Sequence, residues 1–468
     1  MYPNRWGESM FSTTSRAALA GLLVSLTFAA PAARAATFKV LYNFTGGTSD
    51  GGAPTSLVAD ANGNLYGRGS LSSNGNSNGM IFELKRGKTG GYSFKLLYNF
   101  APCTLTSCPD GEGNDNGMGA VSGALPLVVD TAGNLYGVTG TSDIDGGKFF
   151  EFTRGGSYIV LYDFCSGADY ANYQPGSSCK DGAAPSSGLT YDGAAQGLPY
   201  DGKSLLYGTT GMGGNTGNGT LYRVWPNGAF AGIHSFCETG WQDYVCEDGG
   251  PPAGPIAVSG SMIYGATPWG GTSFTGITNT VSGGGEIYSY DLAAGKFHLL
   301  HGFPSSSSPQ KDGNDPQGVI LGSLNVPGLI LGVTGYGGTH GSGIIFGIDP
   351  STHHETIYWD FCKKTNCTDG GTPAASIAQF GGDVVGVAQY GEYGTGVAYD
   401  IKAGGGEVTL HQFCQHDGGY CPKPPSDGFG SEAYGTQVSY GGSIFGVTYS
   451  GGSGAPNGGY GTVYEITP

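Results

Sequence analysis

The chain has 468 residues, 91 of them glycine, with aromatics at 12% and charged residues at only 12%. Glycine without a three-residue period excludes collagen, and recurring Tyr, Phe, Val and Leu runs supply the apolar area that a disordered chain lacks. A net charge of −16 with no basic run argues against nucleic acid and anionic membranes as partners, and leaves cations, neutral glycans and protein surfaces.

Residues 1–35 read as a secretory signal peptide. Arg16 precedes an apolar run from Ala17 to Ala30, and Ala33-Arg34-Ala35 is a small-x-small cleavage signal. The run is too short for a permanent membrane helix. No later segment reaches 18 consecutive apolar residues. The expectation is a secreted or periplasmic protein with no membrane span, a monomer with a single domain over residues 36–468.

The domain opens on FKVLYNF, Phe38 to Phe44. An Asp-Gly pair at Asp50 then leads into a weakly apolar run, followed by GNLYGRGS from Gly63, NGMIFELKRG from Asn78 and FKLLYNF ending at Phe100. The same order returns with SGALPLVVD, GNLYGVTG from Gly133, GKFFEFTRGG from Gly147 and YIVLYDF ending at Phe164. It continues with SLLYGTTG from Ser204, GTLYRVWPNG from Gly219 and FAGIHSF to Phe236. Looser copies are MIYGATP from Met262, LILGVTG from Leu329, DVVGVAQ from Asp383 and SIFGVTY from Ser443. The Phe-terminated runs KFHLLHGF, ETIYWDF and EVTLHQF end at Phe303, Phe361 and Phe413, and the chain finishes on GTVYEITP from Gly461.

Each run is short, rich in aromatic and β-branched residues, and bounded by Gly, Asp, Asn or Pro, which is the signature of a strand. Four strands recur in a unit of about 60 residues, the pattern of a propeller blade with long loops. The motif glycine appears seven times, at Gly67, Gly137, Gly208, Gly265, Gly332, Gly386 and Gly446. The motif is the second strand, with Tyr136 packing between sheets and Gly137 allowing close backbone approach. The first run is a fourth strand without predecessors, and the last is a third strand without a successor. Pairing them completes a blade and leaves no open edge. The expected fold is all-β: a seven-bladed β-propeller of four-stranded blades, closed by the N-terminal strand.

The combination of GNLYGxT, GTVYEI and VLYxF runs resembles the GloVer (choice-of-anchor) tandem-repeat family of secreted bacterial proteins. The likeness covers nearly all of residues 36–468 and loosens in the fifth and sixth copies, where Leu331 and Val385 replace the tyrosine. It implies a β-propeller and carries no established reaction.

Ten cysteines fall into five local pairs, each after a Phe-terminated strand: Cys103 with Cys108, Cys165 with Cys179, Cys237 with Cys246, Cys362 with Cys367, and Cys414 with Cys421. Spacing does not prove connectivity, but local disulfides are the least costly arrangement and agree with export. The long connections, second-to-third strand and fourth strand to next blade, emerge on one face of a propeller, which makes that face the binding candidate. Its aromatics Trp241, Tyr244, Trp269, Phe274, Tyr336, Tyr390, Tyr393 and Tyr449, with His340, suit stacking against sugar rings or a protein surface.

The Asp-Gly aspartates, from Asp50 to Asp427, are expected to form Asx-type turns. No cofactor is required by any motif. Calcium is the competing expectation, at the oxygen cluster Asp110, Glu112, Asn114 and Asn116. No metalloprotease helix or nucleophile elbow occurs. The functional expectation is an extracellular binding module for a glycan or another surface. The alternative is a polysaccharide hydrolase or lyase with carboxylates or His/Tyr groups in the central funnel.

Overall fold

The structure is a computed structural model that describes residues 36–468 apart from 74–77, 103–108, 111–124, 141–144, 167–178, 239–245, 272–282, 305–310, 393, 414–429, 432–434 and 453–458. Seven antiparallel blade sheets follow one another along the chain, and a further two-stranded sheet pairs Gly430–Ser431 with Ser450–Gly451. Blade 1 is built from Gly52–Ala59, Leu65–Leu71, Met80–Arg86 and Tyr92–Asn99. Blade 2 uses Val128–Val129, Leu135–Val138, Lys148–Phe152 and Tyr158–Asp163. Blade 3 uses Ala183–Pro185, Leu206–Met212, Thr220–Val224 and Phe230–Ser235. In blade 4 the strands are Ala253–Ser259, Met262–Thr267, Glu286–Asp291 and Lys296–Gly302. In blade 5 they are Gly313–Ser323, Val326–Gly337, Ile344–Ile348 and Glu355–Asp360. Blade 6 holds Gly371–Pro373, Asp383–Tyr390, Val397–Ile401 and Glu407–Gln412, with Ala378–Phe380 also pairing the second strand.

Blade 7 is assembled from both ends of the domain. Val438–Tyr440, Ser443–Thr448 and Thr462–Thr467 are completed by Thr37–Asn43, which pairs antiparallel with the third strand from Thr37↔Thr467 to Asn43↔Thr462. The seven-bladed, all-β architecture read from the repeat is therefore the architecture found. One connection departs from the tight first-to-second hairpins. In blade 3 the chain between Pro185 and Leu206 makes a 3-10 turn at Ala194–Gln196 and buries Tyr200 against Tyr136 of blade 2.

The core is distributed around a ring. Seven apolar clusters each bridge one pair of neighbouring blades, for example Leu57, Leu65 and Phe82 of blade 1 with Phe445, Val447 and Val463 of blade 7. The cycle runs on through blades 1 and 2, 2 and 3, 3 and 4, 4 and 5, 5 and 6, and 6 and 7. Each large side chain so buried contributes roughly 1.5–3 kcal/mol.

Within a blade the motif glycine faces an aromatic on the third strand. The cross-strand partners are Gly67↔Phe82, Gly137↔Phe150, Gly208↔Tyr222, Gly265↔Tyr288, Gly332↔Phe346, Gly386↔Tyr399 and Gly446↔Tyr464. A Cβ on any of these glycines would lie 2.3–2.7 Å from the facing ring or its hydroxyl. The glycine is required for space, since the tip of the ring occupies the place a Cβ would take.

The preceding Asn has its own task. Asn64 and Asn134 bond the carboxylates of Asp60 and Asp130, and their Oδ1 atoms accept the backbone N–H of Arg86 and Arg154. Asp60 and Asp130 also accept the N–H two residues on, so these aspartates make the Asx turns.

The Asp-Gly aspartates do something else. Asp50 accepts the Tyr42 hydroxyl at 3.0 Å and the Thr45 amide at 2.8 Å, and Asp110 accepts Tyr98 and Ala101 in the same way. Asp181 pairs with Tyr162 and the Cys165 amide, Asp248 with His234 and the Cys237 amide, and Asp369 with the Trp359 indole and the Lys363 amide. The Asx-turn reading of these residues is corrected. Their donors lie upstream, on the fourth strand of the preceding blade and just after it, so each carboxylate ties one blade to the next. Asp427 lies outside the described residues.

Candidate binding face at the channel mouth

In four blades the first strand carries near its start a residue that fixes its direction. Ala53, Ala184, Asp315 and Thr372 stand immediately before Pro54, Pro185, Pro316 and Pro373, with φ of 50°, 56°, 59° and 51°. The N–H of each donates to a carbonyl of the preceding blade: Tyr460, Gly146, Gly284 and Ser342, at 2.7–2.8 Å. Positive φ at non-glycine residues is uncommon and is held here by that hydrogen bond and the following proline. The consequence is a set of inner strands aimed along a shared channel.

The channel holds a cavity of about 660 Å³ lined from all seven blades, including Thr55, Pro126, Ser187, Pro255, Asp315 and Thr436. Most of this wall is small residues, prolines and hydroxyls. Asp315 is the lining carboxylate among the described residues. Burial pushes its carboxyl up to about 6, against a smaller lowering by Gln317. Sequence reasoning missed Asp315. The signal was present, because the residue before the proline of the Asp-Gly-x-x-Pro segment is Ala, Ala, Pro and Thr in the other blades that carry it.

Beyond the channel wall the second strands end in side chains that differ from blade to blade. Trp269, Tyr336 and Tyr390 occupy one equivalent position, four residues past the motif glycine, in blades 4, 5 and 6, and Tyr449 stands one residue earlier in blade 7. They are 60%, 55%, 55% and 40% exposed, whereas the motif tyrosines Tyr66, Tyr136 and Tyr207 are buried. Tyr336 and Tyr449 also line the cavity. Blades 1 and 3 carry the partly buried Leu71 and Met212 at the same position. Exposed aromatics thus stand at the ends of the second strands of four successive blades, and those of blades 5 and 7 reach the cavity.

The two kinds of long connection share this face, since the Gly214, Gly271 and Gly338 amides donate to the carbonyls of Cys179, Cys246 and Asp312. Disulfides Cys165–Cys179, Cys237–Cys246 and Cys362–Cys367 close three of its loops as expected. The other two expected disulfides fall outside the described residues: Cys103 and Cys108 lie in segment 103–108, and Cys414 and Cys421 lie in segment 414–429.

Of the expected ligand-binding set, Trp269, Tyr336, Tyr390 and Tyr449 are exposed, with Tyr336 and Tyr449 on the cavity wall, and Trp241, Tyr244, Phe274 and Tyr393 lie outside the described residues. His340 bonds within its own blade. Its Nδ1 is 3.2 Å from Asp360 Oδ2, at the outer strand of its own blade. Of the calcium candidates, Asp110 gives an oxygen to the Tyr98 hydroxyl and the Ala101 amide, a blade tie, and Glu112, Asn114 and Asn116 are outside the described residues.

No curated protein matches the chain in sequence. Similar solved structures include a catalytically inactive virginiamycin B lyase from Staphylococcus aureus with quinupristin, at 12% identity and TM-score 0.48, covering 92% of this chain and 99% of that one. A puromycin-hydrolyzing peptidase of Mycobacterium tuberculosis is 11% identical with TM-score 0.47, covering 88% and 52%. The GH74 xyloglucanase of Xanthomonas campestris is 14% identical with TM-score 0.42, covering 78% and 53%. Residues 187–393, from the end of the first strand of blade 3 into blade 6, match the Gloeobacter/Verrucomicrobia repeat, in line with the repeat-family resemblance of the sequence.

Proposed function

We propose that the protein is an extracellular binding module that holds a neutral glycan chain across the exposed aromatics of blades 4 to 7. The observation that carries this reading is the exposure of Trp269, Tyr336 and Tyr390 at matching positions of successive blades, with Tyr449 one residue earlier in the next. Aromatic faces beside hydroxyls and amides suit the apolar faces and rim hydroxyls of sugars, and an acidic chain has no electrostatic attraction for a polyanion. Loop disulfides and the signal-like residues 1–35 support a secreted or periplasmic location.

Catalysis is the second reading, and Asp315 is the observation behind it. A carboxyl that keeps its proton to about pH 6 can act as a general acid. Glycoside hydrolysis ordinarily uses two carboxyl groups about 5–10 Å apart, and the described lining residues supply one. Binding is therefore the reading we adopt. Affinity electrophoresis against a panel of neutral polysaccharides, followed by product analysis of any polymer retained, tests it. Retention that is lost in Trp269→Ala/Tyr336→Ala supports the binding site. Shortened or unsaturated products that vanish in Asp315→Asn would replace it with an enzyme.

A further inference from the structure

The seams between blades repeat one contact. An aromatic or imidazole near the end of a fourth strand stacks on the aromatic near the start of the next blade's fourth strand. The stacks are Tyr42–Phe94, Tyr98–Tyr158, Tyr162–Phe230, His234–Phe297 and His411–Phe38, with centroids 3.8–5.2 Å apart. At the two remaining seams the second ring is replaced by a glutamate, Glu407 or Glu355. Glu407 is neutralised, because the Lys364 ammonium bonds its carboxylate.

Glu355 meets different partners. Its Oε2 is 3.7 Å from His301 Nε2, which is itself 3.2 Å from Asp312 Oδ2. Its other oxygen, Oε1, is buried and has no hydrogen-bond partner. Two carboxylates and one imidazole remain net negative even when the imidazole is protonated.

We propose that His301, Asp312 and Glu355 bind a divalent cation of the zinc class, which joins blades 4 and 5 where the aromatic stack is missing. One ligand atom from each residue falls within 4.8 Å of the other two. Ligands about 2.0–2.1 Å from a tetrahedral zinc stand roughly 3.3 Å apart, and the two measured separations bracket that value. The imidazole selects zinc-like ions over calcium, which favours oxygen donors. Three protein ligands leave a position for water, and the side chains are 15–25% exposed, enough for an ion to enter.

The test is zinc titration of the chelator-stripped full chain by calorimetry at pH 7, with thermal unfolding alongside. One equivalent should bind and Tm should rise. Glu355→Phe rebuilds the arrangement already present at His234, Asp248 and Phe297, so it should fold. It should lose that equivalent, or weaken it by more than about 100-fold, and its Tm should ignore zinc. Equal zinc binding by wild type and Glu355→Phe, or a wild-type Tm unmoved by saturating zinc, would overturn the site. A Tm rise with calcium and none with zinc would overturn the assigned class of ion.

Discussion

The inside of a blade and the rim of the channel are built from the same repeat and obey opposite rules. Inside, seven glycines meet seven aromatic rings with almost no variation. At the rim, four residues further along the same strands, the side chains run from leucine through methionine to tryptophan and tyrosine. Seven identical contacts around a ring can hold a scaffold but cannot single out one place on it. A ligand needs asymmetry, and the exposed aromatics of blades 4 to 7 together with Asp315 in blade 5 supply it.

The comparison can be broken from the inside first. Gly332→Val places a branched side chain against Phe346, 2.4 Å from the new Cβ, and against the Gly318 carbonyl at 2.8 Å. The backbone contact cannot swing away, so urea unfolding should show a loss of about 3 kcal/mol. Replacing both Cys165 and Cys179 with serine frees a loop of sequence separation 14 and should cost about 2–3 kcal/mol by the same measurement.

Asp315→Asn separates wall from scaffold through pH. The wild-type carboxyl keeps its proton to about 6 in the folded chain and gives it up near 3.8 when unfolded. A raised carboxyl pKa gives stability that is complete below pH 3.8 and is lost as pH climbs through 6. Asparagine tolerates the positive φ of 59° and carries no such loss. Chemical denaturation at pH 4 and pH 7 should show little difference between the two proteins at the lower pH. At the higher pH the variant should be favoured by on the order of 2 kcal/mol.

The smallest effect on folding is expected at the rim. Trp269→Ala should change stability by less than about 0.5 kcal/mol, because the ring is 60% exposed, and should weaken a retained polysaccharide about tenfold. A large drop in Tm for this variant would show that the aromatic closes the mouth structurally. The distinction drawn between inside and rim would then fail.

How far these features could be read from sequence depended on the range of their partners. The glycine motif was legible because Gly67 and Phe82 sit on adjacent strands of one hairpin. The ring closure was legible because Phe38–Phe44 lacked predecessors and Gly461–Ile466 lacked a successor. The Asp-Gly aspartates were assigned to local turns, whereas their donors stand 8 to 19 positions upstream on another blade. His301 and Glu355 are 54 positions apart, and they meet only because successive fourth strands lie side by side. The carboxylate of Asp315 was visible as a letter but not as part of a wall, since a channel has no sequence neighbourhood.

The pairing of Thr37–Asn43 with Thr462–Thr467 also makes the ring a latch that the newest residues must close. A ribosome releases blades 1 to 6 in order, and each can dock on its predecessor as it appears. The seventh cannot form until the final strand has emerged and found a partner made more than 400 positions earlier. Until then Phe38 has no Tyr464 to rest on, and the first and sixth blades present uncovered flanks. Closure of the ring is thus a contact of very long sequence range, the kind that costs the most chain entropy to form.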